Sequence, residues 1–321
     1  MNPLPLVSII VPNYNHAKYL PARMDSILNQ TFQDFEIIIL DDCSTDNSRA
    51  VIDSYRNCEK VANIVYNEVN SGSPFIQWNK GVSLARGSLI WIAETDEFCQ
   101  SNFLQETVSK MKDFPSVGLV YTQSLEWDEI SGAESLVFQD IPGFTFSFQK
   151  SYFDNGRREA REKFVHEHII PYASGMLLRK SVFEWVSGAD KSMVFCGDWF
   201  LWLKMLSVSD VYFIAEPLNT YRLTNISVHT RFSRVQTFHE RMRIIYWTHM
   251  RGLKSMGTKE LILCKNLFNS FMLSKLDKPV KLVLSDRVMN NKPYKIVLAF
   301  FYSIYDRISG HISRMGNRMA T

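Results

Sequence analysis

Phe35-Glu36-Ile37-Ile38-Ile39-Leu40-Asp41-Asp42 is the stretch that decides the architecture. Residues 35–40 are nearly continuous in isoleucine and leucine, without the alternation of a strand that keeps one face in water. Such a strand must be covered on both sides, the condition of a parallel sheet flanked by helices. The same pattern repeats outward. Leu6-Val7-Ser8-Ile9-Ile10-Val11, closed by Pro12, reads as a buried strand before it, and Leu20, Met24, Ile27 and Leu28 mark one face of the helix between. On the other side, a polar turn over 41–48, with Ser44 and Asp46 as caps, leads to a helix carrying Ala50, Val51 and Tyr55. A strand over 63–66, a helix over 75–85, a strand over 88–93 and a helix capped by Ser101 follow. Strands and helices alternating through short connections predict an α/β fold, a mostly parallel central sheet with helices on both faces.

Beyond this the patterns become mixed. Residues 117–121 and 173–178 read as strands, 128–161 as irregular, and 198–206 as a helix burying Phe200, Leu201, Leu203 and Met205. From about residue 230 helical patterns dominate, so the expected division is an α/β domain over 5–230 and a helical segment over 231–321. With 321 residues, 46% hydrophobic and 21% charged, the chain has the composition of a folded protein with a sizeable core. A net charge of +3 is too small to point to nucleic acid. Cys43, Cys58, Cys99, Cys196 and Cys264 are scattered and odd in number, which predicts neither a disulfide framework nor a zinc site. No basic leader with an apolar stretch opens the sequence and no long apolar run crosses it, so a cytoplasmic protein is expected. The apolar stretch at 296–304 is surrounded by Lys278, Lys281, Arg287, Lys292, Lys295, Arg307, Arg314 and Arg318. Two readings stay open there: peripheral contact with the inner face of the cytoplasmic membrane, or a helical cap on the α/β domain.

Ligands of open parallel sheets bind outside the carboxyl ends of the strands. Tyr14 and Asn15 follow the first strand, Asp41 and Asp42 the second, and Glu94-Thr95-Asp96-Glu97 the fourth. One sheet edge therefore gathers several acids with no matching run of lysine or arginine. Crowded carboxylates are costly without counter-charge, and a divalent cation offsets the cost. Hard oxygen ligands with no nearby histidine or cysteine select Mn²⁺ or Mg²⁺, the latter ordinarily held by one or two carboxylates plus phosphates. A metal-bound diphosphate is the expected ligand. No G-x-G-x-x-G or G-x-x-x-x-G-K follows any strand, which argues against dinucleotide oxidoreductases and P-loop NTPases.

Val7-Ser8-Ile9-Ile10-Val11-Pro12-Asn13-Tyr14-Asn15, Ser26-Ile27-Leu28-Asn29-Gln30-Thr31-Phe32 and the segment 36–42 with Ser44-Thr45-Asp46 resemble the opening of glycosyltransferase family 2, inverting enzymes of GT-A fold. Asn70-Ser71-Gly72, Asn79-Lys80-Gly81 and Ala85-Arg86-Gly87 resemble its next motif, and 94–97 its metal motif. Gly197-Asp198-Trp199 with Leu201-Trp202 resembles the motif that carries the base, and Tyr221-Arg222 followed by Ser227 the closing motif. The resemblance covers about residues 5–230. It implies a nucleotide-sugar site made by Pro12, Tyr14, Asn15, Asp42, Asn79, Glu94, Asp96 and Arg222, with Tyr14 stacked on the base and Asp42 bonded to it. It implies Asp96 and Glu97 on the metal side, where His229 is a further candidate, and Asp198 as general base. Two departures stand out: Cys43 where glycine is usual, and Glu97 where aspartate is.

The implied reaction moves a sugar from a nucleotide-diphosphate sugar, UDP-linked by preference, to a saccharide or lipid-linked saccharide acceptor, as in surface polysaccharide synthesis. Each residue also has a structural reading. Asp198 opens a predicted helix and suits an N-terminal cap; Trp199 and Trp202 suit a core; His229 suits a plain loop; Arg222 suits a phosphate partner. A Mg²⁺-dependent nucleotidyltransferase or phosphohydrolase, and a glycan-binding relative without catalysis, are the competing functions.

Overall fold

The computed structural model describes residues 4–139, 147–165 and 172–223, together with 237, 240, 241, 243–245, 247, 248 and 251–253. The chain divides into two compact units, Met1–Ser255 and Met256–Thr321, and every described residue belongs to the first. His229, Ser227 and the basic C-terminal stretch lie outside the described residues. Among the described residues, no helix is long and apolar enough to cross a membrane.

The sheet is built first from β1 (Val7–Asn13), β2 (Phe35–Asp41), β3 (Val61–Tyr66) and β4 (Leu89–Ile92), joined through α1 (Leu20–Leu28), α2 (Ser48–Asp53) and α3 (Pro74–Leu84). These strands lie parallel in the order β3-β2-β1-β4. The chain therefore steps outward from β1 to β3, then returns to set β4 on the other side of β1. That reversal opens a crevice beyond the carboxyl ends of β1 and β4. After β5 (Phe98–Cys99) and α4 (Phe103–Asp113) come β6 (Val117–Asp128), β7 (Glu134–Leu136), β8 (Tyr152–Asp154) and α5 (Gly156–Glu159). A π-helical turn (Ala160–Phe164) and a 3₁₀ turn (Ala173–Gly175) precede β9 (Met176–Arg179), α6 (Lys180–Trp185), α7 (Gly197–Leu206) and β10 (Asp210–Leu223). β9 runs antiparallel between β4 and β6, while β6 and β10 are parallel to each other. β1, β2, β3, β4, β6 and β10 thus point the same way, with β9 reversed between β4 and β6.

The unbroken apolar runs are explained by two cores. Val7, Ile9, Val11, Ile37 and Ile39 pack with α1 and α4, through Leu20, Met24, Phe103 and Val108. Their neighbours Ile10, Ile38 and Leu40 face the opposite layer with Phe75, Trp78 and Val82 of α3 and Trp199 and Trp202 of α7. Alternate side chains leave a strand on opposite faces, so a strand covered twice needs no polar positions.

Three expectations need correction. Asn102, not Ser101, stands at the start of α4, and the Ser101 carbonyl instead accepts Thr31 N at 2.8 Å, tying the α1 exit to this turn. Residues 128–161 hold β7, β8 and α5 and are not irregular throughout. No strand was expected over β10, the longest at 14 residues, although it opens on the apolar run 211–215. Pro217 and register shifts at Ile214/Pro217 and Pro217/Asn219 break its alternation, and pairing with β6 extends it nonetheless.

Cys43, where the family resemblance led us to expect glycine, has φ 62°, in the left-handed region. A side chain there is strained, by about 1 kcal/mol. Its thiol makes only a 3.3 Å contact to the Glu68 carbonyl. Cys43→Gly is expected to stabilise the fold by up to about 1 kcal/mol, read from urea unfolding midpoints at unchanged m-value; a loss of stability would show that the thiol contact outweighs the backbone strain.

Candidate active site

Helix α3 gathers the site. Its buried face carries Phe75, Gln77, Trp78, Gly81 and Val82. Gln77 Nε2 donates to Asp42 Oδ1 at 2.9 Å. One residue on, Trp78 Nε1 donates to Glu94 Oε1 at 2.7 Å. The Trp78 ring also stacks on Trp202 of α7, centroids 6.0 Å apart. Phe75 lies where a side chain on Gly197 would have to be, 2.5 Å from such a Cβ, so glycine at 197 lets the N-terminus of α7 approach α3. Ser73 Oγ, just before the helix, donates to the Met193 carbonyl at 2.8 Å. Asp42, Glu94 and Asp198 are thereby connected through one helix.

Asp42 is 5% exposed, not on an open turn as its position after β2 suggested. Its Oδ1 accepts from Asn67 Nδ2 (2.6 Å), Ser71 N (2.9 Å) and Gln77 Nε2 (2.9 Å), and its Oδ2 from Ser71 Oγ (2.7 Å). Three of these four donors converge on Oδ1 and one reaches Oδ2, so Oδ2 is the less engaged oxygen. Tyr14 is 40% exposed, an open ring past the end of β1. Pro12 is buried, and its carbonyl accepts Thr95 Oγ1 at 2.5 Å, locking the ends of β1 and β4 together. Asn15, at φ 58°, accepts Thr45 N at 2.7 Å and shapes the loop. Asn79 does not join the site: its amide donates to the Phe75 and Ala189 carbonyls at 2.8 and 2.9 Å and accepts Ala189 N at 3.0 Å. Every polar atom of that side chain is engaged in holding the 189 turn.

The segment 94–97 sits over a buried cation that the sequence reading passed by. Arg23 is fully buried; its Nε donates to the Glu94 carbonyl at 2.7 Å and its Nη2 to Ser174 Oγ at 3.0 Å. Its guanidinium lies 5.7 Å from the Trp91 ring. Leu20, Met24 and Ile27 form an apolar stripe, and an arginine one position before Met24 on that stripe is the signal that was available. One buried cation does not neutralise the carboxyls above it. Burial, with the charge of Asp96, pushes Glu94 up to about 8 despite the Trp78 bond. Burial pushes Glu97 up to about 7 even though Arg23 pulls it down. Glu97 was expected to face a metal, but it is 5% exposed and its Oε2 accepts Asn219 Nδ2 at 2.8 Å. Its extra methylene carries the carboxyl into the protein. Asp96 remains half-buried, and its carbonyl accepts Arg222 Nε at 3.2 Å. Among the described residues, no three His, Cys, Asp or Glu side chains are grouped to hold a metal alone.

Arg222 is enclosed rather than open. Its guanidinium lies 5.0 Å from the Tyr19 ring, 5.5 Å from Phe98 and 4.7 Å from Trp127, and it pairs with Glu129 at 3.5 Å. It braces the Asp96 turn from the end of β10. Trp199 and Trp202, at 2% and 0% exposure, are core residues. Asp198 is half-buried at the start of α7, where its Oδ1 accepts Trp199 N at 2.7 Å. Burial pushes it up to about 6, and Glu240 adds to the rise. It therefore satisfies one free N–H of the first turn, whose N-cap is Cys196, with a carboxyl raised toward neutrality.

Residues 8–184 match the family described as glycosyl transferase family 2. The chain belongs to glycosyltransferase family 2. The glycosyltransferase GlyG of Streptococcus pneumoniae is 29% identical over 198 residues, 51% of this chain and 65% of GlyG, so the chain covers less than two thirds of that relative. The poly(ribitol-phosphate) β-N-acetylglucosaminyltransferase TarS of Staphylococcus aureus is 32% identical over 106 residues, 32% of this chain and 18% of TarS. The crystal structure of its residues 1–349 with UDP superposes at a TM-score of 0.59 and 17% identity, covering 86% of this chain and 76% of that one. The mannosyltransferase PcManGT of Pyrobaculum calidifontis, solved with GDP-Man and Mn²⁺, superposes at 0.58 and 14% identity, covering 93% and 84%. These two likenesses establish the GT-A fold. In this family 2 chain, α7 with Asp198 lies past the matched span.

A carboxyl raised in the fold favours the protonated folded state. The contribution of Asp198 to stability is therefore greatest at low pH, declines as pH climbs from its ordinary 3.8 to about 6, and stays low above that. Asp198→Asn, which removes the titration and retains an acceptor for Trp199 N, should melt increasingly above the wild type between about pH 4 and pH 6, the difference then levelling. A constant difference across that range would refute the raised carboxyl.

Proposed function

We propose that this family 2 chain transfers a sugar from a nucleotide-diphosphate sugar, UDP-linked by preference, to an acceptor hydroxyl with inversion, in the synthesis of a surface polysaccharide or related glycan. The observation that carries the reading is the convergence on α3 of a base-reading carboxylate, a strand-end acidic turn and a half-buried aspartate of raised pKa. The glycosyltransferase GlyG, the β-N-acetylglucosaminyltransferase TarS, and the UDP and GDP-Man seen with TarS and PcManGT agree with it.

In this reading Tyr14 offers its exposed ring to the nucleotide base, and Asp42 Oδ2, the less engaged oxygen of that carboxylate, takes a base N–H. The bonds from Asn67, Ser71 and Gln77 hold that carboxylate before the nucleotide arrives, so little ordering is left to binding. Asp96 is the half-buried carboxylate of the acidic turn and fits a Mn²⁺ or Mg²⁺ ion as a single protein ligand, with donor phosphates and water completing the shell. The raised Glu94 and Glu97 carboxyls beside it are groups whose ionisation a cation would favour. Such an ion supplies charge neutralisation of the departing diphosphate. Glu94, fastened by Trp78, sets the backbone course of the turn. Asp198 accepts the proton of the acceptor hydroxyl as that oxygen attacks the anomeric carbon, and releases it later to solvent. One base acting on the acceptor is what a single displacement requires, and a single displacement inverts the carbon.

The test uses the full chain. UDP with Mn²⁺ should raise the melting temperature, and EDTA should abolish most of the rise. Asp198→Asn should keep that response while sugar transfer falls about 10²–10⁴-fold, with wild-type transfer rising through an acid limb set by the Asp198 carboxyl. Equal stabilisation by UDP with and without metal refutes the metal; near-normal transfer by the variant refutes the base.

A further inference from the structure

Glu240, well past the matched family span, is only 3% exposed. Its carboxylate accepts three successive backbone N–H groups: Val194 at 2.8 Å, Phe195 at 3.0 Å and Cys196 at 2.7 Å. Successive amides converging on one point make a concavity for an anion, and here the chain supplies the anion itself. Cys196 immediately precedes α7, and Asp198 is its second residue. One helical turn beyond Glu240, Arg243 Nη2 donates to Asp190 Oδ2 at 2.6 Å and its Nη1 to Ser192 Oγ at 2.9 Å. Two side chains of opposite sign on one helical face thus clasp the whole approach to the candidate base, from 190 to 196.

We propose that Glu240 is a positioning residue for Asp198: its carboxylate holds the backbone from Val194 to Cys196 and places a negative charge beside the N-terminus of α7. The inference rests on the reading of Asp198 as the base. A merely structural dock for this helix would be served by an apolar contact, which leaves no ion to bury. A carboxylate is the side chain that accepts three N–H groups at once; glutamine has one acceptor oxygen and turns an N–H₂ toward the donors. The charge has a consequence for its neighbour. Burial first, and Glu240 in addition, raise the Asp198 carboxyl, which brings a carboxylate base closer to working pH. The other titratable groups on this corner are Cys196, whose thiol is pushed up to about 12 by burial and by the charges of Asp198 and Glu240, and Arg241, which acts on Cys196 in the opposite sense. The Asp190–Arg243 pair is mutually neutralised.

The experiment is a ¹³C-carboxyl NMR titration of the full chain, with the Asp198 resonance assigned by its loss in Asp198→Asn, beside hydrogen exchange at the amides of residues 194–199. Glu240→Gln should move the Asp198 midpoint downward and speed exchange at Val194, Phe195 and Cys196. Glu240→Asp, which keeps the charge and withdraws it by one methylene, should speed exchange with a smaller change in midpoint. An unmoved Asp198 midpoint in Glu240→Gln overturns the proposal, even with a lowered melting temperature, because docking alone predicts that pattern. Should Glu240→Gln not fold, unchanged exchange at 194–196 in Glu240→Asp overturns it. Neither readout involves transfer, so failure of the base assignment appears separately, as near-normal transfer by Asp198→Asn.

Discussion

The indole of Trp78 makes two contacts on which the site depends: a 2.7 Å hydrogen bond to Glu94 and a stack on Trp202. The first reaches the end of β4, where the acidic turn begins; the second reaches α7, whose first turn carries Asp198. The ring is 3% exposed, so its N–H has no water to turn to and must be satisfied inside the protein. Glu94 satisfies it at the cost of burying a carboxyl. Because the ring is large and two-faced in its chemistry, one residue fixes the distance between the donor side and the acceptor side. Gln77 beside it holds Asp42, so the separation of all three carboxyls follows from the geometry of a single helix.

Electrostatics then divides the carboxyls by role. Arg23 is the cation beneath the acidic turn, and its bonds go to the Glu94 carbonyl and to Ser174, not to a carboxylate. It shapes the backbone without pairing with the carboxyls above it, and burial together with the charge of Asp96 holds Glu94 and Glu97 above their ordinary range. On the other side of α3, Asp198 lies away from Arg23 and is raised chiefly by burial. Burial is the largest cause at Glu94, Glu97 and Asp198 alike, and the two places differ in the charge that adds to it, Asp96 at the turn and Glu240 at Asp198.

Much of this was legible from local pattern. The isoleucine run of β2 demanded a sheet covered twice, and Ile37 and Ile39 do enter one core while Ile38 enters the other. Strand ends followed by acids pointed to one edge, and Pro12, Asp42, Glu94 and Asp96 are all found there. The failures have a common origin. Ser101 and Asn102 are both competent caps, and the choice went to Asn102 because Ser101 is drawn to Thr31. β10 opens on the apolar run 211–215, but Pro217 and the register shifts around it interrupt the alternation, and pairing with β6 carries the strand on to Leu223. Asn79 and Glu97 belong to motif positions, yet the 189 turn and Asn219 engage them.

By itself, then, the sequence determined the fold class, the order of strands and helices from β1 to β4 and the strand ends that gather acids, since these depend on periodicity, chain stiffness and burial within a few residues. Tertiary structure decided the partners: Arg23 with Ser174, Trp78 with Glu94 and Trp202, Glu240 with the backbone before α7. The Arg23–Ser174 and Glu240–Cys196 bonds link residues 151 and 44 positions apart. No local period encodes such a pairing. It arises where two polar groups are buried together and water, which otherwise satisfies each of them, is excluded.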